Sequence, residues 1–290
     1  MKAVRVVRPS TLTLPTRGRG PSGDCRSDTI PFFTSPLWGG RNAQRSGWGG
    51  TARAVFPLLL LVCLSASGPY MGSLSPPDLA RIRTVAIISA VGESFAFERV
   101  RPSTFEWSAP PDTRYLEVSD WKIDDNVTRE VTSLLSKRVT IKKVFFQRAD
   151  FGTWNYAILR QNIFKLNGDP GIDAYILILR DWHYDAIGHS VHDLQGLGLY
   201  RRELPSGENP EGIYASYRVV VIDANTGAIF ASREASMPDG SLPWTRTPAS
   251  LWPKTPNDLT DVQQKTLSAD LTRLIDDTLP RTLAEIRLSN

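Results

Sequence analysis

The chain has 290 residues, 41% hydrophobic and 22% charged. That is ordinary globular composition, which excludes a collagen-like, multi-span membrane or fully disordered chain. Its net charge of +4 is misleading, because nine of the 34 basic groups and only two of the 30 acidic ones lie in residues 1–67, leaving a body of net charge −3. No basic run there exceeds two residues, so nucleic acid is not an expected partner.

Residues 1–52 are rich in Gly, Pro, Arg and Ser and show no helical or strand period. They read as a disordered extension, or as a mis-annotated one, with the true start near residues 51–55. Residues 53–67 have the layout of a secretory signal peptide. Arg53 leads the apolar run AVFPLLLLVCL, and Ser65 and Ser67 supply the small side chains expected before a cut ahead of Gly68. The run is too short for a comfortable membrane span. Leu61 and Val62 precede Cys63, a poor lipidation signal. The expected chain is therefore periplasmic or secreted, with no stable span after cleavage. Both cysteines, Cys25 and Cys63, lie in the removed part. The mature protein then has no disulfide and no thiol nucleophile, and any metal site would use N and O ligands.

The α/β domain is expected over residues 68–236. Thr84–Val91 is apolar on both alternating faces and predicts a central strand. Ser94–Val100 alternates Phe95 and Phe97, predicting a half-buried antiparallel strand. Residues 101–119 carry three prolines and read as a loop with strand pieces. Ile123, Val127, Val131, Leu134 and Leu135 mark one face of a helix, with Asp124 and Asp125 read as solvated first-turn charge. A strand is expected over 139–147 and a second helix over 154–166. Ala174–Leu179 is another two-faced strand. Strands over 198–204 and 214–223 follow, and Asp223–Gly227 reads as a hairpin turn into 228–232.

Residues 237–290 form a Pro/Trp strap and a C-terminal helix expected to pack on the domain. Pro280 should kink or end that helix. The element order predicts a three-layer α/β sandwich with a mixed sheet, parallel at its start and antiparallel in its late hairpins.

All three histidines, His183, His189 and His192, fall in DWHYDAIGHSVHD, after a strand whose C-terminal end is where ligands bind in open α/β sheets. Three imidazoles could hold zinc with a water in the fourth position, which would make a zinc-dependent hydrolase. The competing reading is a polar loop that uses His, Asp and Ser as turn residues. There is no G-x-S-x-G elbow and no phosphate-cradling glycine loop, so no catalytic residue is assigned. Trp121 and Trp154 read as core, whereas Trp244 and Trp252 in the strap are the partner-binding residues of choice.

The AYILIL strand, the GLGLYRR strand and YRVVVIDANTGAIFAS, with Asp223, Thr226 and Gly227 in a D-x-x-T-G turn, resemble the late half of envelope proteins of the curli-secretion CsgG and flagellar FlgO kind. The resemblance implies a non-enzymatic accessory role in the cell envelope, an envelope protein as partner and no cofactor.

Overall fold

The computed structural model describes residues 72–101, 111–152, 155–166, 171–185, 187–188 and 192–289. The extension, the signal segment, both cysteines, Trp107, Trp154 and His189 lie outside them.

In chain order the elements are α1 (Pro76–Arg81), β1 (Thr84–Ala90), β2 (Ser94–Val100), β3 (Asp112–Glu117), α2 (Ile123–Leu135), β4 (Thr140–Lys142) and α3 (Tyr156–Leu166). Then come β5 (Ala174–Arg180), β6 (Trp182–Tyr184), β7 (Asp193–Gln195), β8 (Leu197–Arg202), β9 (Glu211–Ala215), β10 (Tyr217–Asp223), β11 (Ile229–Glu234), β12 (Trp244–Arg246) and α4 (Asp261–Glu285).

The two-faced apolar strands occupy the centre of one sheet, ordered β11-β10-β5-β1-β4. β1 runs parallel to β4 and β5, and β10 runs antiparallel to β5 and β11. Both faces are covered. Val85, Ile87, Ile176, Ile178, Val219 and Val221 meet the apolar stripes of α2 and α4. Ala86, Ile88, Tyr175, Leu177 and Val220 meet Leu159 and Ile163 of α3. This is the expected mixed α/β sandwich with its C-terminal helix. At the far edge β4 is shorter than the sequence predicts, pairing only with Thr84–Ala86, and Phe145 just beyond it is fully exposed.

The sequence suggests one sheet, but the strands divide between two five-stranded sheets and the small β6–β7 ribbon. The second is ordered β12-β9-β8-β2-β3. β2 is antiparallel to β3 but parallel to β8, and it is buried on both faces rather than half-buried. Phe95 and Phe97 enter the α2/α4 core, while Tyr200, Tyr214 and Val100 lie under Ile187 and Leu194 of the β6–β7 segment.

The chain passes between the two five-stranded sheets at two short junctions, one that the sequence marks with a glycine and one that its apolar pattern runs straight through. One is Gly92, between β1 and β2. The other is Ser216, which splits the predicted 214–223 strand into β9 and β10. A ring of backbone bonds fixes the second crossing: Asp181 N–H donates to Ser216 O (3.1 Å), Ser216 N–H to Gly196 O (2.7 Å) and Gly196 N–H to Asp181 O (2.9 Å). A buried polar backbone must be paired, and this junction pairs its own.

Asp124 fastens the first crossing. It is buried, and accepts from Ser89 Oγ (2.7 Å), Val91 N–H (2.9 Å) and Gly92 N–H (3.2 Å). Arg148 Nε lies 3.4 Å from its other oxygen. The expectation of a solvated first-turn charge is therefore corrected: the helix start points at the strand end, and the carboxylate satisfies the donors freed where β1 leaves its sheet. Asp125, its neighbour, is exposed as expected.

The 223–227 hairpin forms as predicted. Asp223 Oδ1 accepts from Asn225 and Thr226 N–H (2.8 and 2.7 Å), and Gly227 takes φ +68°. α4 starts with a capping box at Thr260 and Gln263. Pro280 does not end it; Leu279 and Leu283 on either side are fully buried, and that packing carries the helix on to Glu285. No helix among the described residues is long and apolar enough to cross a membrane.

Candidate functional site

The parallel strands β1 and β5 end side by side where the two sheets meet. A cleft of about 350 Å³ opens there, lined by Ser94, Tyr115, Gly152, Arg180, Gln195 and Leu197. Both sheets contribute. Arg180 is the last residue of β5, Ser94 the first of β2, Tyr115 sits on the edge strand β3, and Gln195 ends β7. The position is the one that open α/β sheets use for ligands, beyond the carboxyl ends of the parallel strands.

Arg180 is the chemical centre of the cleft. Its Nη1 donates to Ser94 Oγ at 2.7 Å. Glycines crowd it on two sides: a Cβ on Gly152 would stand 3.1 Å from Nη2, and one on Gly196 would stand 3.0 Å from Cδ. Gly196 also holds φ +65°, so that position favours glycine on two counts. The guanidinium is thus held in one place by backbone rather than by charge. Among the described residues no carboxylate pairs with it. A fixed, half-buried guanidinium with free N–H groups suits a planar or tetrahedral anion.

A second polar cluster lies behind the cleft wall, under the β6–β7 segment. Tyr214 Oη donates to Glu98 Oε1 (2.7 Å), and Tyr200 Oη donates to Asp185 Oδ2 (2.6 Å). Burial pushes the Glu98 carboxyl up to about 7, with the hydrogen bond from Tyr214 opposing, the Asp185 charge adding, and the Gln195 backbone opposing. Glu98 therefore keeps its proton at pH values below about 7. Tyr214 is raised well above the ordinary phenol range by burial first and by Glu98 next. Tyr115 is raised by burial and by Glu98, while Arg180 lowers it.

The histidine segment is largely a cover for this cluster. Ile187 and Leu194 are buried against sheet two, and Asp185 is fully buried. Asp185 also closes its own turn by accepting from Ile187 N–H (3.0 Å) and Gly188 N–H (2.7 Å), and Arg202 reaches the Gly188 carbonyl. His183, on β6, points its Nδ1 at Glu234 Oε2, 3.7 Å away. His192 offers its backbone carbonyl to Asp185 N–H at 3.1 Å. Among the described residues no three His, Cys, Asp or Glu side chains converge as a metal centre requires, and His189 is not one of those residues.

The two strap tryptophans are both half-buried. Trp252 packs edge-on to Phe97 at 6.2 Å, with the Arg201 guanidinium 5.7 Å over its ring. Its contact surface is turned into the protein. Trp244 lies over Gly212 and lines an open groove with Met237, Pro238, Asp239, Ser241 and Arg246. The exposed aromatic residues near the cleft are others: Trp182 (52%), Tyr184 (54%) and Tyr115 (63%). Sequence reasoning passed over Trp182 and Tyr184, although their i, i+2 spacing around His183 was a strand-face signal.

No protein-family model matches this sequence, and no curated protein matches it. Among solved structures it is similar to the lipoprotein GNA1162 from Neisseria meningitidis, at 10% identity over 68% of this chain and 99% of that one, with a TM-score of 0.27. It is also similar to the hypothetical protein CT253 from Chlamydia trachomatis, at 11% identity over 71% of this chain and 98% of that one, with a TM-score of 0.31. The PelC dodecamer from Paraburkholderia phytofirmans aligns at 10% identity over 76% of this chain and 95% of that one, with a TM-score of 0.27. At such scores no property of those proteins passes to this chain. These comparisons do not show the likeness to CsgG and FlgO proteins that was read from the hairpin motif.

Proposed function

We propose that this chain is an exported bacterial envelope protein that binds an anionic ligand in the Arg180 cleft and does not transform it. The observation that carries the reading is a guanidinium fixed between two glycines, bonded among the described residues only to a serine hydroxyl, and facing a cleft of about 350 Å³. Ser94 Oγ is engaged as an acceptor from Arg180, and among the described residues no hydrogen bond joins it to a histidine or carboxylate that could act as its base. Export rests on the residue 53–67 segment and on the absence of cysteine from the body.

Calorimetric titration of the mature protein with sulfate and with acetate tests the cleft. Both should bind weakly, and Arg180→Gln should abolish the binding with the circular dichroism unchanged. Binding that survives Arg180→Gln would remove the cleft from consideration. Fractionation of the native host with N-terminal sequencing tests export; a cytosolic chain still carrying residues 53–67 would refute it.

A further inference from the structure

We infer that the ligand is an acidic glycan, gripped by Arg180 at its charge and by Trp182 and Tyr184 at its sugar rings. The inference rests on the Arg180 cleft and extends it by one neighbouring surface. β6 pairs with β7 in the register Trp182 to Gln195, His183 to Leu194 and Tyr184 to Asp193. Leu194 is buried, so the His183 and Leu194 face looks inward. Strand alternation turns Trp182, Tyr184, Asp193 and Gln195 to the opposite, outer face. Gln195 lines the cleft, so Trp182, directly across from it, stands beside the cleft mouth.

The two rings lie on one short ribbon, separated by two strand steps, or roughly 6.5 Å. The ribbon is anchored from beneath by Leu194, Asp185 and Tyr200. Both rings are more than half exposed, although large aromatic side chains normally bury most of their surface. Tyr115, more exposed still, lines the cleft itself.

This combination discriminates among ligands. A deep apolar pocket would suit a lipid chain or a hydrophobic peptide side chain, but the cleft offers one leucine among a guanidinium, two hydroxyls and an amide. A sugar ring presents C–H faces that stack on flat aromatic surfaces, and hydroxyls around its rim that bond to amides and hydroxyls. Trp182 and Tyr184 supply the first need, and Gln195, Ser94 and Tyr115 the second. Arg180 adds the preference for a ring carrying a carboxylate, which its fork of N–H groups matches. A neutral glycan would leave that guanidinium without its complement.

Titration calorimetry of the mature protein with short oligogalacturonates, galacturonate monomer, neutral cello-oligosaccharide and sulfate tests this. The expected order places the oligogalacturonate about tenfold or more tighter than the monomer, with the neutral oligomer weaker than either acidic one. Trp182→Ala, and independently Tyr184→Ala, should bring the oligomer down to the monomer's affinity while sulfate binding stays. Both side chains are exposed, so these variants fold. Sulfate binding that depends on Arg180, together with an oligomer no tighter than the monomer or indifferent to Trp182→Ala, would overturn the glycan assignment and leave the anion cleft standing. Equal affinity for the neutral oligomer would overturn it as well. Loss of sulfate dependence on Arg180 would instead remove the underlying site.

Discussion

Two arginines sit on adjoining strands at the junction of the sheets, and their surroundings differ. Arg218, on β10, is in register with Leu179, while Arg180, on β5, is in register with Tyr217. Arg218 is saturated: Nε donates to buried Asp181 at 2.9 Å, Nη1 to Ser232 Oγ at 3.1 Å, and Nη2 to Glu234. Arg180 has a serine and a cleft. One arginine closes the end of a sheet; the other is kept in place without being neutralised. Identical chemistry one strand apart thus serves structure in one case and the proposed recognition in the other, and the carboxylates around each set the difference.

The largest effect is expected where that pairing is removed. Arg218→Met would strand Asp181, whose carboxyl is already pushed up by burial although Arg218 opposes the shift. It should cost about 4 kcal/mol in urea unfolding. A loss below about 1 kcal/mol would mean that the Arg218 network is dispensable.

Glu98 sharpens the comparison from the other side, because a carboxyl lies near the cleft yet leaves Arg180 unpaired. Its folded pKa, about 7, stands above the ordinary 4.5. The folded state therefore holds its proton over a range where the unfolded state has lost it. This contribution to stability is full below about 4.5, declines as pH rises, and is gone above about 7. Urea unfolding across that window should show a fall of about 3 kcal/mol. Glu98→Gln should flatten the profile, and an unchanged profile would locate the pH dependence elsewhere.

Asp124→Ala orphans the N–H groups of Val91 and Gly92, and should cost about 2 kcal/mol. Smallest is Arg180→Gln, expected to change stability by less than about 1 kcal/mol while abolishing sulfate binding. If it destabilised the fold as much as Arg218→Met does, Arg180 would be a structural arginine and the contrast would collapse.

Several of these features were legible in the sequence. The apolar spacing of Ile123, Val127, Val131 and Leu135 specified a helix, and those four residues are its buried stripe. The two-faced strands at 84–91 and 174–179 became the centre of a sheet, and Asp223–Gly227 became the hairpin turn. The described part of the histidine segment begins where β5 ends, as its position after the AYILIL run predicts. Chemistry-bearing residues were harder to choose. Histidines drew attention by their rarity, while Arg180 is one of many basic residues and shows no local pattern. Its distinction is that, among the described residues, no carboxylate pairs with it, and the neighbouring letters do not show this, since Asp181 beside it is spent on Arg218. Asp124 is the converse case, a helix-start acid by position that becomes a buried clasp because of the strand end it meets.

From the residues alone come the α/β class, the main helices and strands, and the turns that join them, because side-chain periodicity and local turn chemistry act over a few neighbouring positions. Tertiary structure alone decides that the strands part into two sheets at Gly92 and Ser216, that Glu98 is buried against Tyr214, and that Arg180 is left facing a cleft. Those outcomes depend on groups far apart in the chain, such as Ser94 with Arg180 or Glu98 with Tyr214, and on the burial that sets their charge. Neither quantity exists until the layers close on one another.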